Sequence, residues 1–496
     1  MNRSTLSLGG AVLVLAVLTG AASLTGGDDS AAAPAGATTR LPVQRTTMVC
    51  PSPSPSEFAD TTYASFTPPA ASLSDEPAGA AGSSTGSAQL VTEAAKPAPL
   101  SPPLKQTGRT VTYTTDKPDA PALVGTADGT LAPGWSVGQT TVVDAGPSRG
   151  LLGTSCVTPD SEFWFAGAST ADGRQDYLHL VDPDDAPAVV DVELYGPDGL
   201  VKASSGEGLT VPGKGAKPVL LSTLIAQKVR DLTVHVVVRS GRVGAAVQAT
   251  DASKGTDWLQ PAAEPATTLV MPGIPADAAS VRLVAYATGS DDADLDVRLS
   301  TATGMISPAD HETLHVKAGM TATADLGDVT KGDPGSLVIT SSKTHAPVPV
   351  VAGLLVTRGK GGKQELAFLP ATPAVGTRAS AADNRDKAST LTLTAPDREV
   401  RVKVTSSPGT AGGTAVSRTV VVKAGTTTAL QPVAPATGKG SFSVTVERLS
   451  GGTLYASREL AMPLDGVPMF TIQPLADDRS TVEVPQAEPD LKILGR

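Results

Sequence analysis

The chain contains few aromatic residues and few recognisable helix signals. Phe, Trp and Tyr make up 3% of its 496 residues, whereas Gly (50) and Pro (41) are frequent. Val and Thr dominate the apolar segments. This composition is typical of β-sandwiches with cores of Val, Leu and Ala. Such cores are expected to be modestly stable, because each missing Phe or Trp forgoes about 1 kcal/mol or more of burial free energy.

Positive charge is also scarce. The chain has 39 Lys and Arg residues against 49 Asp and Glu residues, which gives a formal charge of −10. Nucleic-acid binding needs a basic surface, so we expect no nucleic-acid partner. Binding to anionic membrane surfaces is disfavoured for the same reason. An acidic surface mainly keeps soluble molecules apart.

Cys50 and Cys156 are the only two cysteines. An even count favours a disulfide if the chain is exported, and this bond is expected to tie an N-terminal unit, 41–156, to the unit that begins at 157. The bond closes a loop of about 106 residues, worth up to ~4.7 kcal/mol in the chain-entropy description. The alternative is two buried free thiols. A metal site is not expected, because no histidine is near in sequence.

Residues 1–23 have the pattern of an export signal. Arg3 provides a basic start, Leu6–Leu18 is an uncharged apolar run, and small residues follow at 20–23. The apolar run is short for a membrane-spanning helix, which needs about 20 residues. The alternative to a cleaved signal is an N-terminal membrane anchor. Residues 24–40 are small and polar, and are predicted to be disordered.

A repeat of 105 residues follows. In each copy, apolar residues alternate along a short segment that ends in a glycine, the pattern of a half-buried strand running into a turn. The equivalent positions are Val190, Val192, Leu194 and Gly199, then Leu295, Val297, Leu299 and Gly304, and then Val400, Val402, Val404 and Gly409.

The repeat predicts the domain organisation. Three β-sandwiches are expected, each with six or seven short strands, as in immunoglobulin-like domains. The fold class is therefore all-β, with tandem antiparallel sandwiches after an export signal. Neighbouring sandwiches are expected to share little buried surface and to unfold separately. The predicted boundaries are 41–156 for an N-terminal β-rich unit with a Pro/Ala-rich loop at 67–105, 157–258, 259–360 and 361–462 for the repeats, and 463–496 for a final strand and disordered tail.

Two motifs resemble catalytic signatures. His311, Glu312 and His315 match H-E-x-x-H, which on a helix places two imidazoles on one face to bind zinc. The sibling repeats have strand patterns here, and residues four apart on a strand lie about 13 Å apart. Residues 146–150 match G-x-S-x-G, but no helix signal follows as a nucleophile elbow requires. We therefore expect the His311–His315 match to lie on a strand and the match at 146–150 to form a plain turn. No catalytic or cofactor-binding residue is expected.

Two further features suggest binding. Acidic residues that could hold calcium occur at the same turn of two repeats: Asp182, Asp184 and Asp185, and Asp291, Asp292, Asp294 and Asp296. Turns favour Asp in any case, and no calcium-loop pattern accompanies them. Glycan-binding modules present aromatic platforms, but Trp135, Trp164 and Trp258 are far apart, and Trp164 is expected in the core.

Two segments resemble a known family: Arg149-Gly-Leu-Leu-Gly-Thr-Ser-Cys156 with Glu162-Phe-Trp-Phe-Ala-Gly167, and Ala188-Val-Val-Asp-Val-Glu-Leu-Tyr-Gly-Pro-Asp-Gly199. They are similar to exported proteins of high-GC Gram-positive actinobacteria classed as a domain of unknown function. The resemblance covers most of the chain beyond the signal, including Cys50. It implies export and supports the disulfide, but it implies no chemistry.

These observations favour a non-enzymatic, exported cell-envelope protein that acts as a scaffold or interaction module. Its partner is expected to be an envelope protein or a cell-wall polymer. The alternatives are a secreted zinc metallopeptidase using His311, Glu312 and His315, and a wall-glycan binding module.

Overall fold

A computed structural model describes residues 38–70, 86–94, 96–100, 102–343 and 346–485. The predicted export signal, most of segment 24–40 and the end of the predicted tail lie outside these residues. The first described strand, β1, begins at Thr38, inside the segment predicted to be disordered. No helix in the described part of the chain is long and apolar enough to cross a membrane.

The chain is nearly all β, as predicted, and the strands pair antiparallel. The first strands are β1 (Thr38–Pro42), β2 (Arg45–Cys50), β3 (Ala59–Phe66), β4 (Ser87–Thr92), β5 (Thr110–Thr115), β6 (Leu123–Asp128), β7 (Ser136–Val143) and β8 (Gly150–Ser155), with a 3-10 turn at Gly129–Leu131. Strand β4 lies inside the predicted loop 67–105, because Ala88 and Leu90 pack into the core.

The repeats contribute the remaining strands. In the first repeat they are β9 (Glu162–Ala168), β10 (Arg174–Asp182), β11 (Ala188–Gly196), β12 (Gly199–Val201), β13 (Leu209–Val211), β14 (Gly215–Leu220), β15 (Leu232–Ser240), β16 (Gly244–Asp251) and β17 (Gly255–Leu259), with a helical turn at Leu221–Leu224. In the second they are β18 (Thr268–Ile274), β19 (Ala278–Ala287), β20 (Ala293–Ser300), β21 (Met305–Ile306), β22 (Thr313–Val316), β23 (Thr321–Gly327), β24 (Gly335–Ser341), β25 (Val350–Lys360) and β26 (Lys363–Pro370).

The third repeat and the C-terminal segment complete the chain. The strands are β27 (Arg378–Asn384), β28 (Ser389–Ala395), β29 (Val400–Ser407), β30 (Val416–Val422), β31 (Thr426–Leu430), β32 (Phe442–Gly451), β33 (Tyr455–Ala461), β34 (Phe470–Leu475) and β35 (Thr481–Pro485). Strand β34, in the segment predicted to carry only a final strand, belongs to a sheet of the third repeat. Strands β1 and β35 form a separate two-stranded ribbon, in which Arg40 donates to Glu483.

The N-terminal unit has the same sheet topology as the three repeats. One sheet of each unit has the strand order β5-β3-β7-β8, β14-β10-β16-β17, β23-β19-β25-β26 and β31-β28-β33-β34. The other sheets contain β2-β6-β4, β9-β15-β11, β18-β24-β20 and β27-β32-β29. The described residues between 43 and 480 therefore form four related sandwiches, which we number one to four. The repeat is not recognisable in the sequence of the first sandwich, because the stretch before β4 is long and β4 itself buries only two apolar side chains.

The repeat register is correct. Val192, Val297 and Val402 occupy equivalent strands, β11, β20 and β29, and each is at most 2% exposed. Each lies in the core of its own sandwich. Alternation of apolar and polar residues therefore predicted the buried face of these strands correctly.

The four sandwiches share buried surface, contrary to expectation. Strands β8, β17, β26 and β34 are sheet edges, and they contact one another in cyclic order. Phe368 of β26 packs in the core of the second sandwich, and Phe470 of β34 packs in the core of the third. Residues 43–480 consequently form one compact unit rather than a row of separate domains. The apolar surface at these edges makes independent folding unfavourable.

The disulfide between Cys50 and Cys156 is present. Both cysteines are buried in the core of the first sandwich, next to Tyr63 and Trp135. The bond therefore closes the first sandwich on itself, joining the end of β2 to the residue after β8. The position of Cys156 had suggested that the bond would join the first sandwich to the second, and this expectation was wrong.

Reduction of this disulfide is expected to lower the free energy of unfolding by about 2–5 kcal/mol, because it releases a loop of 106 residues in the unfolded chain. Denaturant titration of oxidised and reduced protein measures the change. Equal unfolding midpoints, or two reactive thiols in unreduced protein, contradict the pairing.

Replacing Val297 with Asp is expected to unfold residues 43–480 as a whole. An unpaired buried charge costs several kcal/mol, against a typical domain stability of about 5–15 kcal/mol. The core around Val297 also contains Phe470 from the fourth sandwich, so the damage spreads. Limited proteolysis tests this, with Val421→Asp on an exposed position as the control. Intact fragments near 157–258 and 361–462 contradict shared stability.

Candidate functional site

The inner edge strand β8 has its backbone N–H groups satisfied by side chains of other sandwiches. An edge strand exposes unpaired backbone groups, which are costly when buried. Three N–H groups at alternate residues donate to these side chains: Leu151 to Glu365 Oε1 at 3.1 Å, Gly153 to Asp257 Oδ1 at 3.0 Å, and Ser155 to Gln260 Oε1 at 3.3 Å. Polar side chains from the second and third sandwiches thus close the edge of the first.

Asp257 lies at the centre of this arrangement. It is fully buried on β17, and the Thr471 hydroxyl of β34 donates to it at 3.0 Å. Burial raises the pKa of Asp257 well above its usual range, and the neighbouring Glu365 raises it further, although the donors from Gly153 and Thr471 oppose the shift. One carboxyl group therefore links three of the four sandwiches.

Glu365 is the second buried acid. Burial raises its pKa to about 8, against the opposing effects of the Leu151 N–H group and of Arg149. Arg149 Nη2 lies 3.7 Å from Glu365 Oε2 and donates to the backbone oxygen of Gln364 at 3.0 Å. Near neutral pH the Glu365 carboxyl is mostly protonated, so Arg149 has no fully ionised partner here.

Above these residues lies a cavity of about 440 Å³, which we call the axial pocket. Its wall consists of the turns that precede β8, β17 and β26, and Arg149 is its only charged lining residue in the described part of the chain. The volume is in the range of small-molecule sites. The lining residues are Gly146, Pro147, Arg149, Ala252, Ser253, Gly255, Gly361 and Gly362.

Glycines determine the shape of the axial pocket. A Cβ on Gly150 would lie 2.4 Å from the Thr256 backbone oxygen, so only glycine lets β8 and β17 approach this closely. At Gly361 and Gly362, in contrast, no heavy atom lies within 4 Å of a Cβ position. The turns are tightly packed around Gly150, which we call the floor of the pocket. They are open at Gly361 and Gly362, which we call its rim.

The G-x-S-x-G match forms the turn between β7 and β8, and strand β8 follows it instead of a helix. This agrees with the prediction of a plain turn. The segment matters for another reason, because Gly146 and Arg149 line the axial pocket. The role of Arg149 could not be read from the sequence, since it depends on Glu365 in another sandwich.

The H-E-x-x-H match lies on a turn and a strand. His311 follows the turn at 309–310, and His315 is on β22, which pairs with β20. His315 Nδ1 hydrogen-bonds to Asp294 at 2.8 Å, and Asp292 lies 3.5 Å from Nε2. In the described residues, no group of three or more His, Cys, Asp or Glu side chains is arranged to hold a metal ion.

The acidic turn of the second sandwich is held by basic residues. Arg242 donates to both carboxylate oxygens of Asp184 at 2.9 and 3.0 Å, and Asp185 pairs with Lys214. Asp182 is buried and accepts the Asp184 N–H at 2.9 Å. These contacts give the turn a structural role.

The tryptophans do not form an exposed platform. Trp135 and Trp258 are at most 2% exposed, and Trp164 is 7% exposed. Trp164 stacks on His235 with the ring centres 3.6 Å apart, and Tyr286 covers it from the third sandwich. Trp164 is therefore buried, as expected, but between the second and third sandwiches, whereas its neighbours Phe163 and Phe165 occupy the core of the second sandwich.

Sequence reasoning missed Asp257, Glu365 and Thr471. Two of them carried a signal, because each acid interrupts an apolar strand: Asp257 precedes Trp258-Leu259, and Glu365 precedes Leu366-Ala-Phe-Leu369. A carboxyl group in a buried strand requires a specific partner.

Replacing Glu365 with Gln is expected to remove a loss of stability that the wild type shows as pH rises from about 4.5 to about 8. Between about pH 4.5 and pH 8 the unfolded chain ionises Glu365 while the folded chain keeps the proton, so stability falls as pH rises through this window. Gln removes this titration and keeps an acceptor for Leu151. Urea unfolding measures the free energy of unfolding at each pH. The value for the variant should rise relative to the wild type up to about pH 8 and stay constant relative to it above.

Two further variants sharpen this test. Glu365→Ala should be less stable than Glu365→Gln by about 1–3 kcal/mol at every pH, because both variants lack the titration but only Ala leaves the Leu151 N–H without a partner. Glu264→Gln, at an exposed position, should keep the wild-type pH dependence. A Glu365→Gln curve parallel to the wild type contradicts a neutral buried carboxyl.

Comparison with known proteins identifies a family. The sequence model of a family of unknown function, DUF5719, matches residues 111–433, a span that includes Arg149, Asp257 and Glu365. No curated protein and no solved structure matches the chain significantly.

Proposed function

Because the chain belongs to the DUF5719 family, whose function is unknown, we propose a function from its own geometry. The protein is a non-enzymatic, exported component of the cell envelope, and it binds an envelope partner in the axial pocket. The observation that carries this proposal is the convergence of the turns before β8, β17 and β26 around one open cavity.

The floor of the pocket is suited to binding. Asp257, Glu365 and Gln260 join the inner edge strands below it, so its shape is preorganised. Preorganised sites bind with a smaller loss of conformational freedom. The rim consists of glycine turns, over which a partner can approach the backbone closely.

Three observations support a position outside the cell. The Cys50–Cys156 disulfide is compatible with an extracellular protein. The pattern of residues 1–23 is that of an export signal, and the likeness to exported actinobacterial proteins points the same way. The net charge of −10 supports a partner other than nucleic acid.

Blocking the pocket tests the proposal. Gly362→Trp places a large side chain into open space above the rim, at a glycine with ordinary backbone geometry. The variant is expected to fold normally and to lose binding to isolated cell-envelope fragments in a sedimentation assay. Gly289→Trp, at an exposed turn of the third sandwich, is the matched control and should bind like the wild type.

Equal binding by wild type, Gly362→Trp and Gly289→Trp contradicts the pocket as the binding site. Absence of wild-type binding to any envelope fraction contradicts the proposed function itself. Unfolding midpoints of the three proteins show whether a loss of binding reflects a loss of folding.

A further inference from the structure

The charge at the axial pocket differs from that of the molecule. The protein carries a formal charge of −10, but the one charged side chain lining the pocket is Arg149, as far as the described residues show. Lys254, Lys360 and Lys363 flank the lining turns. The acid nearest in sequence to these turns is Asp251, which accepts hydrogen bonds from the Ser253 N–H and hydroxyl at 2.9 and 2.6 Å.

Arg149 is held in place at the pocket floor. Its side chain is 25% exposed, and its Nη2 donates to the Gln364 backbone oxygen at 3.0 Å. This contact with a neutral carbonyl orients the guanidinium group without neutralising it. Guanidinium groups suit the planar, bidentate recognition of carboxylate and phosphate.

The carboxyl group next to Arg149 does not neutralise it near pH 7. Glu365 is fully buried, and burial raises its pKa to about 8. An anion entering from solvent therefore meets an unneutralised guanidinium, next to glycine turns that allow close approach.

We propose that the axial pocket binds an oxyanion group, a carboxylate or a phosphate, through Arg149. This inference rests on the proposed function, since it assigns the chemistry of the group that the partner places in the pocket. The cavity of about 440 Å³ accommodates such a group together with the part of the ligand that carries it.

Equilibrium dialysis with three probes tests the inference. Inorganic phosphate and N-acetylglycine carry the two oxyanions, and N-acetylglycinamide is the neutral counterpart of the second. At least one oxyanion is expected to bind the wild type with one site per molecule, and the amide is not. The probe that binds identifies the chemistry as phosphate or carboxylate.

Variants then locate the site. Arg149→Gln is expected to weaken oxyanion binding by about tenfold or more, since a charge-assisted hydrogen-bond pair is lost. Arg298→Gln, at an exposed position on β20, should bind like the wild type. Affinity should fall as pH rises through about 8, where Glu365 ionises and competes for Arg149, and this fall should vanish in Glu365→Gln.

The outcomes separate the two proposals. If neither oxyanion binds, or Arg149→Gln and Arg298→Gln behave alike, the oxyanion inference is overturned, even where Gly362→Trp abolishes envelope binding. If oxyanions bind through Arg149 while Gly362→Trp leaves envelope binding intact, the pocket recognises oxyanions and the proposed partner site is wrong.

Discussion

Four sheet edges meet inside the protein, and their backbone groups must find partners there. Neighbouring edges could pair strand to strand, but β8 instead donates to carboxyl and amide side chains of the second and third sandwiches. Buried N–H groups without partners cost about 1–3 kcal/mol each, so these side chains decide whether the sandwiches can associate. The compact body of residues 43–480 depends on this solution.

The same solution creates the electrostatics of the pocket. A carboxyl group that caps a buried strand edge loses its hydration, and its pKa rises as a result. Glu365 thereby becomes a poor counter-ion for Arg149, whose charge remains available at the pocket floor. Architecture and recognition are thus coupled through one residue: changing Glu365 affects how the strands fit together and also what the pocket attracts.

The sequence predicted the fold class, the repeat register and the disulfide, because each depends on local patterns. Alternation around Val192, Val297 and Val402 needs only neighbouring residues, and two cysteines allow one pairing. The first sandwich was not recognised as a copy, because a long stretch precedes β4 and β4 itself buries only two apolar side chains. The association of the sandwiches was missed because it depends on contacts such as Thr471 with Asp257, 214 residues apart. The position of Arg149 in the pocket could not be predicted either, because it depends on the contact with Glu365 of another sandwich.

The ribbon of β1 and β35 has a mechanical consequence. Its five residue pairs run from Thr38 opposite Pro485 to Pro42 opposite Thr481, so both chain ends leave from the same end of the ribbon. A pulling force between the two termini therefore opens these pairs one after another, as a zipper opens, and each step resists only weakly. Until the last pair has opened, the tension passes across the ribbon and the intervening 43–480 segment carries none of it. The ribbon is therefore the first paired element to open when its outer ends, Thr38 and Pro485, are pulled apart.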